Sequence, residues 1–107
     1  MIKAVILHNR EGMAVGFVVK CHGDPIVCSA VSMLVINTVN CLQNLTPLTE
    51  DDYRLKWNTK GGFIGFGLVR SGLRSTGAGL LLDALVLGLS SVSEQYPNDI
   101  KLDSRHV

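Results

Sequence analysis

Several things are missing from this chain of 107 residues, and each absence removes a class of function. There is no excess charge of either sign. Ten lysines and arginines face nine carboxylates, a formal charge of +1. Net charge therefore gives no electrostatic case for direct nucleic-acid binding and leaves only a local patch as a route to such a partner. Charged residues make up 18% of the chain, the low side of ordinary globular composition. The three cysteines, Cys21, Cys28 and Cys41, are an odd number without C-x-x-C spacing. That argues against a disulfide framework and against a four-ligand zinc site. No basic stretch followed by an apolar run opens the chain, so no secretory signal is expected. The longest apolar run, Ala78 to Leu89, is broken by Asp83 and too short to span a bilayer. Gly65 and Gly67 lack the lysine and the strand–glycine–helix context of a phosphate loop. No cofactor is expected, and free thiols suit a reducing cytoplasm.

What is present is ample apolar material, 47% of the residues, for the core of one domain spanning 1–107. Met1 to His8 is rich in Ile, Val and Leu and predicts a strand. Asn9 to Gly12 is turn chemistry, with Gly12 free to take positive φ. Met13 to Lys20 predicts a hairpin partner. A helix follows from Pro25 to Gln43, with an apolar stripe at Val27, Ala30, Val31, Leu34, Val35 and Leu42 and a polar side at Ser29, Asn37, Asn40 and Asn44. Thr46-Pro47 stops it. Tyr53 to Trp57 alternates as a strand, Thr59 to Gly62 is a turn, and Phe63 to Val69 is a glycine-interrupted strand. Arg70 to Gly79 reads as a loop, in which Ser75 or Thr76 caps a second helix ending at Gln95. Ile100 to Asp103 alternates as a last strand. The order is ββαββαβ. It predicts an α+β domain with an antiparallel or mixed sheet and both helices packed on one face. The second helix is apolar around much of its circumference, so a homodimer contact near Leu81, Leu85 and Leu89 is expected to cover the surplus.

The segment Cys21 to Gln43 concentrates the chemistry. His22 ends the second strand, and only five residues, Gly23 to Val27, separate it from Cys28. Asp24-Pro25 is a helix start, because Asp caps free N–H groups and Pro suits the first helical position. Cys28 then falls in the first turn, where the helix N-terminus favours thiolate over thiol. A nearby imidazole is placed to take the thiol proton. Gly23 gives the loop conformational freedom. Ser32 shares a helix face with Cys28. The bland readings stand beside these: a cysteine in an apolar helix packs a core, and a strand-end histidine such as His22 or His8 lies in solvent. Cys41 reads as a small buried hydrophobe. A metal site of His22, Cys28 and Asp24 fits no strong zinc pattern.

The run HGDPIVCSAVSMLV resembles the defining segment of the ribosomal-processing cysteine protease family, Prp. MIKAVI and LLLDALVLGLSSVSEQYPNDIKL are similar to the same family, so the resemblance covers nearly the whole chain. It implies a cysteine endopeptidase with Cys28 as nucleophile, His22 as general base, and a supporting polar role for Ser32. It implies as substrate the N-terminal extension of one large-subunit ribosomal protein, trimmed before ribosome assembly. Two departures stand out. The loop between His22 and Cys28 is shorter than the family's glycine-rich one. The family's aspartate position, three residues before the cysteine, is Pro25 here, which makes Asp24 a helix cap rather than an orienter of His22. A reading from another class stays open, a non-catalytic homodimeric ribosome-associated binding protein of the same fold. A host ribosomal protein with a cleavable tail discriminates the two.

Overall fold

The structure, a computed structural model, describes every residue but Thr59. The elements are β1 (Ile2–His8), β2 (Ala14–Lys20), α1 (Pro25–Asn44), β3 (Tyr53–Asn58), β4 (Phe63–Leu68), α2 (Thr76–Gln95) and β5 (Ile100–His106). The five strands form one mixed sheet in the order β3-β4-β2-β1-β5. All pairings are antiparallel except β1 with β5, which run parallel through the α2 crossover. The expected ββαββαβ order is present.

Local chemistry sets the hairpin. The Asn9 side-chain oxygen accepts from the N–H groups of Glu11 and Met13, and Gly12 takes φ 79°. Beyond it the strand alternation decides which side is inside. Ile2, Ala4 and Ile6 of β1 are buried, as are Phe17 and Val19 of β2 and Ile64 and Phe66 of β4. The rings of Phe17 and Phe66 stack at 5.7 Å, and Tyr53 stacks on Phe66 at 5.2 Å. Both helices lie on this side and pack against each other. α1 contributes Val27, Val31, Val35, Val39 and Leu42, and α2 contributes Ala78, Leu82, Leu85 and Leu89. Each such side chain is worth roughly 1.5–3 kcal/mol when fully buried. Each helix is 20 residues long and apolar enough to cross a membrane by length and composition. Each nevertheless lays one stripe into this core. The close approach of β2 to β4 requires glycine at position 16, where a Cβ would stand 2.3 Å from the Phe66 carbonyl oxygen.

Several expectations are corrected. Ala30 is exposed and Thr38 is buried, its hydroxyl donating to the Leu34 carbonyl at 2.7 Å. Cys41 is only half-buried. Arg70–Arg74 is a 3-10 turn, as is Glu50–Asp52. The Ser71 hydroxyl donates to the Asp52 carboxylate at 2.6 Å and ties the two turns together. β5 continues to His106 because β1 offers it partners as far as His8. Leu85 and Leu89, expected at a subunit contact, are core residues, and Leu81 is half-buried. The exposed leucines of α2 are Leu80 and Leu87. The first residue of the expected Thr59 to Gly62 turn lies outside the described residues; Lys60 to Gly62 do turn.

Candidate active site

α1 starts where expected. The Asp24 carboxylate accepts from the N–H groups of Ile26, at 2.9 Å, and Val27, at 3.2 Å, with Pro25 at the first helical position. Asp24 is thus the helix cap. Among the described residues it makes no hydrogen bond to His22. The amide of Cys28 donates to the Asp24 carbonyl at 2.8 Å, the first bond of the helix. The helix-start amides expected to receive an oxyanion are therefore engaged already. Among the described residues, the amides of Gly23 and Asp24 in the preceding loop donate to no group of the chain.

Cys28 sits half-buried in the first turn of α1, against the edge of the core. His22 is exposed just beyond β2. The fold brings both to one corner of the sheet, but no hydrogen bond joins them among the described residues. Ser32 turns toward a different thiol. Its hydroxyl lies 3.7 Å from the Cys21 sulfur. Burial pushes the Cys21 thiol above its ordinary range, the neighbouring Cys28 adds to the rise, and the Ser32 hydroxyl opposes it. Among the described residues, no group of three or more His, Cys, Asp or Glu side chains is placed to hold a metal.

Beside this corner a groove of about 170 Å³ opens between α1 and the sheet, lined by Val19, Cys21, Ser32, Val35, Ile36 and Trp57 among others. Its walls are mostly apolar and Trp57 is 47% exposed. The groove suits an extended peptide with apolar side chains.

Two residues carry parts of this site that sequence reasoning passed over. Gly62 takes φ 61°, and a Cβ there would lie 2.7 Å from the Cys21 carbonyl oxygen. The Cys21 amide in turn donates to the Gly62 carbonyl at 2.8 Å. The β3–β4 turn thereby anchors the strand end that leads into His22. The Gly61-Gly62 pair was the available signal. Gly23, by contrast, has no positive φ and rests against Met1 and Ile2 at ordinary contact distance. The second is Trp57, whose period-2 place beside Ile64 aims it at the groove.

Comparison with solved structures gives the class. An essential ribosomal processing protease Prp from Staphylococcus aureus, in complex with a covalently linked product peptide, matches with a TM-score of 0.86. Its identity is 25%, over 98% of this chain and 100% of that one. SMU.848 from Streptococcus mutans matches with a TM-score of 0.84 at 25% identity, over 100% of this chain and 96% of that one. The S. aureus protease with a substrate peptide matches at 23% identity with a TM-score of 0.86 and bears on the fold alone. No curated protein matches the chain. The class is that of the cysteine proteases. The family model for the cysteine protease Prp matches residues 1–101, and the chain belongs to that family.

Proposed function

We propose that this protease is an endopeptidase that trims the N-terminal extension of a large-subunit ribosomal protein before assembly, in the cytoplasm, with Cys28 as nucleophile and His22 as general base. The observation that carries the reading is the family match over residues 1–101, which includes Cys28 in the first turn of α1 and His22 at the strand end. The ribosomal processing role of the similar S. aureus protease supports the substrate class.

The chemistry runs as acyl transfer. A peptide lies along the groove with its scissile carbonyl over Cys28. His22 takes the thiol proton, and the sulfur attacks the carbonyl carbon. The oxygen becomes an oxyanion, and the unengaged amides of Gly23 and Asp24 are the backbone donors at hand to receive it. Collapse breaks the C–N bond as His22 returns the proton to the leaving amine. Water, deprotonated by His22, then hydrolyses the thioester and restores the thiol. Exposed His22 meets Cys28 when substrate is bound, as catalytic pairs often tighten only in the complex. Ser32 supports the site indirectly, through Cys21.

The test is incubation with a synthetic precursor N-terminal peptide, wild type beside Cys28→Ala. The wild type should cleave it and the variant should not. Trimming by Cys28→Ala at the wild-type rate would sink the mechanism.

We further infer a homodimer, supported by the exposed positions Leu80, Ala84 and Leu87 along α2 and Met33 on α1. Leu80 and Leu87 are 71% and 72% exposed, which a lone domain has no reason to leave in water as a stripe. Light scattering should show a dimer at micromolar concentration that Leu87→Glu converts to a monomer. A monomeric wild type would refute it.

A further inference from the structure

The side of the sheet away from the helices is not covered by any element of the chain. Strand register resolves it into three cross-strand rows, read from β3 to β5. The first is Asn58, Phe63, Lys20, Lys3 and Lys101. The second is Lys56, Gly65, Val18, Val5 and Asp103. The third is Arg54, Gly67, Gly16, Leu7 and Arg105. Lys3, Lys20, Arg54, Lys56, Lys101 and Arg105 are all exposed. This one face thus holds six of the chain's ten lysines and arginines and one of its nine carboxylates. The near-zero net charge hides a separation, with the positive side chains gathered on the open face and most acids elsewhere.

The arrangement works against the fold on its own. Lys20, Lys3 and Lys101 stand directly opposite one another on neighbouring strands about 4.8 Å apart, and like charges so placed are destabilising. Only Lys101 has a carboxylate partner, Asp103 at 3.8 Å, and that pair is solvent-exposed. Between the cations the floor is low. Gly16, Gly65 and Gly67 have no side chains, and Lys3, Val5, Val18, Lys20 and Arg105 line one shallow depression. The Phe63 ring leans over Gly65, 3.3 Å from where a Cβ would be. A ligand for this face is polyanionic, extended and able to lie flat.

We propose that the open face of the sheet is a docking surface for single-stranded RNA, with the lysine row and the two arginines gripping the phosphodiester backbone and Phe63 offering its ring to a base. Charge complementarity carries the assignment. The flatness selects a single strand over B-DNA, whose major groove admits a helix or a two-stranded ribbon and not a five-stranded face. A sheet bearing an aromatic amid cations is a surface on which unstacked bases and backbone lie together. A second copy of this chain would bring like charge onto like charge. A lipid surface would find no large exposed apolar side chain in the three rows to insert.

The experiment is fluorescence anisotropy of a labelled mixed-sequence single-stranded RNA, titrated with the full chain at several salt concentrations. Wild type should bind in about 50 mM salt, with log K falling against log[salt] at a slope of about −3, from about four phosphate contacts. Lys3→Gln/Lys20→Gln and, separately, Arg54→Gln/Arg105→Gln should each weaken binding about tenfold or more and flatten the slope by about one. Arg70→Gln/Arg74→Gln, off the face, should change nothing. Circular dichroism melting checks that all variants are folded. No wild-type binding at ~100 µM protein, the weak end of non-specific affinity, would overturn the proposal. So would equal loss in the Arg70/Arg74 control, tighter binding to duplex RNA of the same length, or capture by anionic vesicles in preference to RNA.

Discussion

Alternate residues of β1 and β2 go to opposite sides of one sheet. On one side Ile2, Ala4, Ile6, Phe17 and Val19 are sealed under two helices. On the other, Lys3 and Lys20 stand in water. The two sides obey different rules. The covered side is set by volume and contact, so nearly every residue there answers to its neighbours. The open side answers to charge, and it tolerates repulsion that a stability argument alone would remove. The contrast also fixes register. A slip of one residue would drive Lys3 and Lys20 into the core and bring Ile2 and Phe17 out. The active-site corner lies where the two sides meet, at the end of β2.

The comparison can be broken most severely at that corner. Cys28→Ala should abolish peptide cleavage while leaving the helix intact, since alanine suits a helix. His22→Ala should retain a weak activity, reduced about 10²–10⁴-fold, because acid–base help is lost while the nucleophile stays. Chromatographic assay of the cleaved peptide reads both. If the two variants were equally inactive, His22 would have a role beyond proton transfer.

Next comes the covered side. Phe17→Ala, which removes a fully buried ring stacked on Phe66, should cost about 3–5 kcal/mol in urea unfolding. A cost under ~1 kcal/mol would mean that the core packing is loose.

The thiols give an intermediate contrast. Burial raises the Cys21 thiol, so near neutral pH it holds its proton and iodoacetamide should reach it more slowly than Cys28. As pH rises toward the raised Cys21 value, its alkylation should catch up. Mass spectrometry of labelled peptides across pH decides. Faster labelling of Cys21 at neutral pH would reverse the assignment of the nucleophile.

The cap is a smaller effect. Asp24→Ala leaves the amides of Ile26 and Val27 unpaired and should lower stability by about 1 kcal/mol. Smallest, and of opposite sign, is the open side. Lys3→Gln removes the centre of a three-lysine row and should raise stability by about 0.5 kcal/mol, more at low salt than at high. A loss on Lys3→Gln would show that the row is not under repulsion.

Much of the covered side could be read from the chain. Asp24-Pro25 and Ser75 mark helix starts by capping chemistry, and the Ser75 hydroxyl does accept from the Ala78 amide at 3.1 Å. Gly12 announces its own turn. These signals are local, within a few residues of what they set. The histidine and cysteine stood out because they flank one such signal. What escaped was non-local. The tail of β5, Ser104-Arg105-His106, has no apolar alternation and is a strand only because β1 pairs with it. The buried face of α2 runs through Leu85 and Leu89 because the sheet lies beneath them, and no periodicity in an all-apolar helix can choose that side. Gly62 matters through the carbonyl of Cys21, about forty residues earlier. The basic face was hidden for the same reason. Lys3, Lys20 and Lys101 are scattered along the sequence, and the sum of +1 averages them away.

The strand order has a consequence for how molecules of this protein meet. β3 and β5 are the two rims of the sheet, and each rim has backbone groups facing outward without a neighbouring strand. A newcomer strand can add there and start a runaway stack. Arg54 and Lys56 stud one rim, and Lys101 and Arg105 the other. Any two rims laid side by side, β3 on β3, β5 on β5 or one on the other, bring cation against cation. The chain therefore resists rim-to-rim polymerisation in whichever pairing is tried. Removing those four charges together should shorten the lag before aggregation under mild heating.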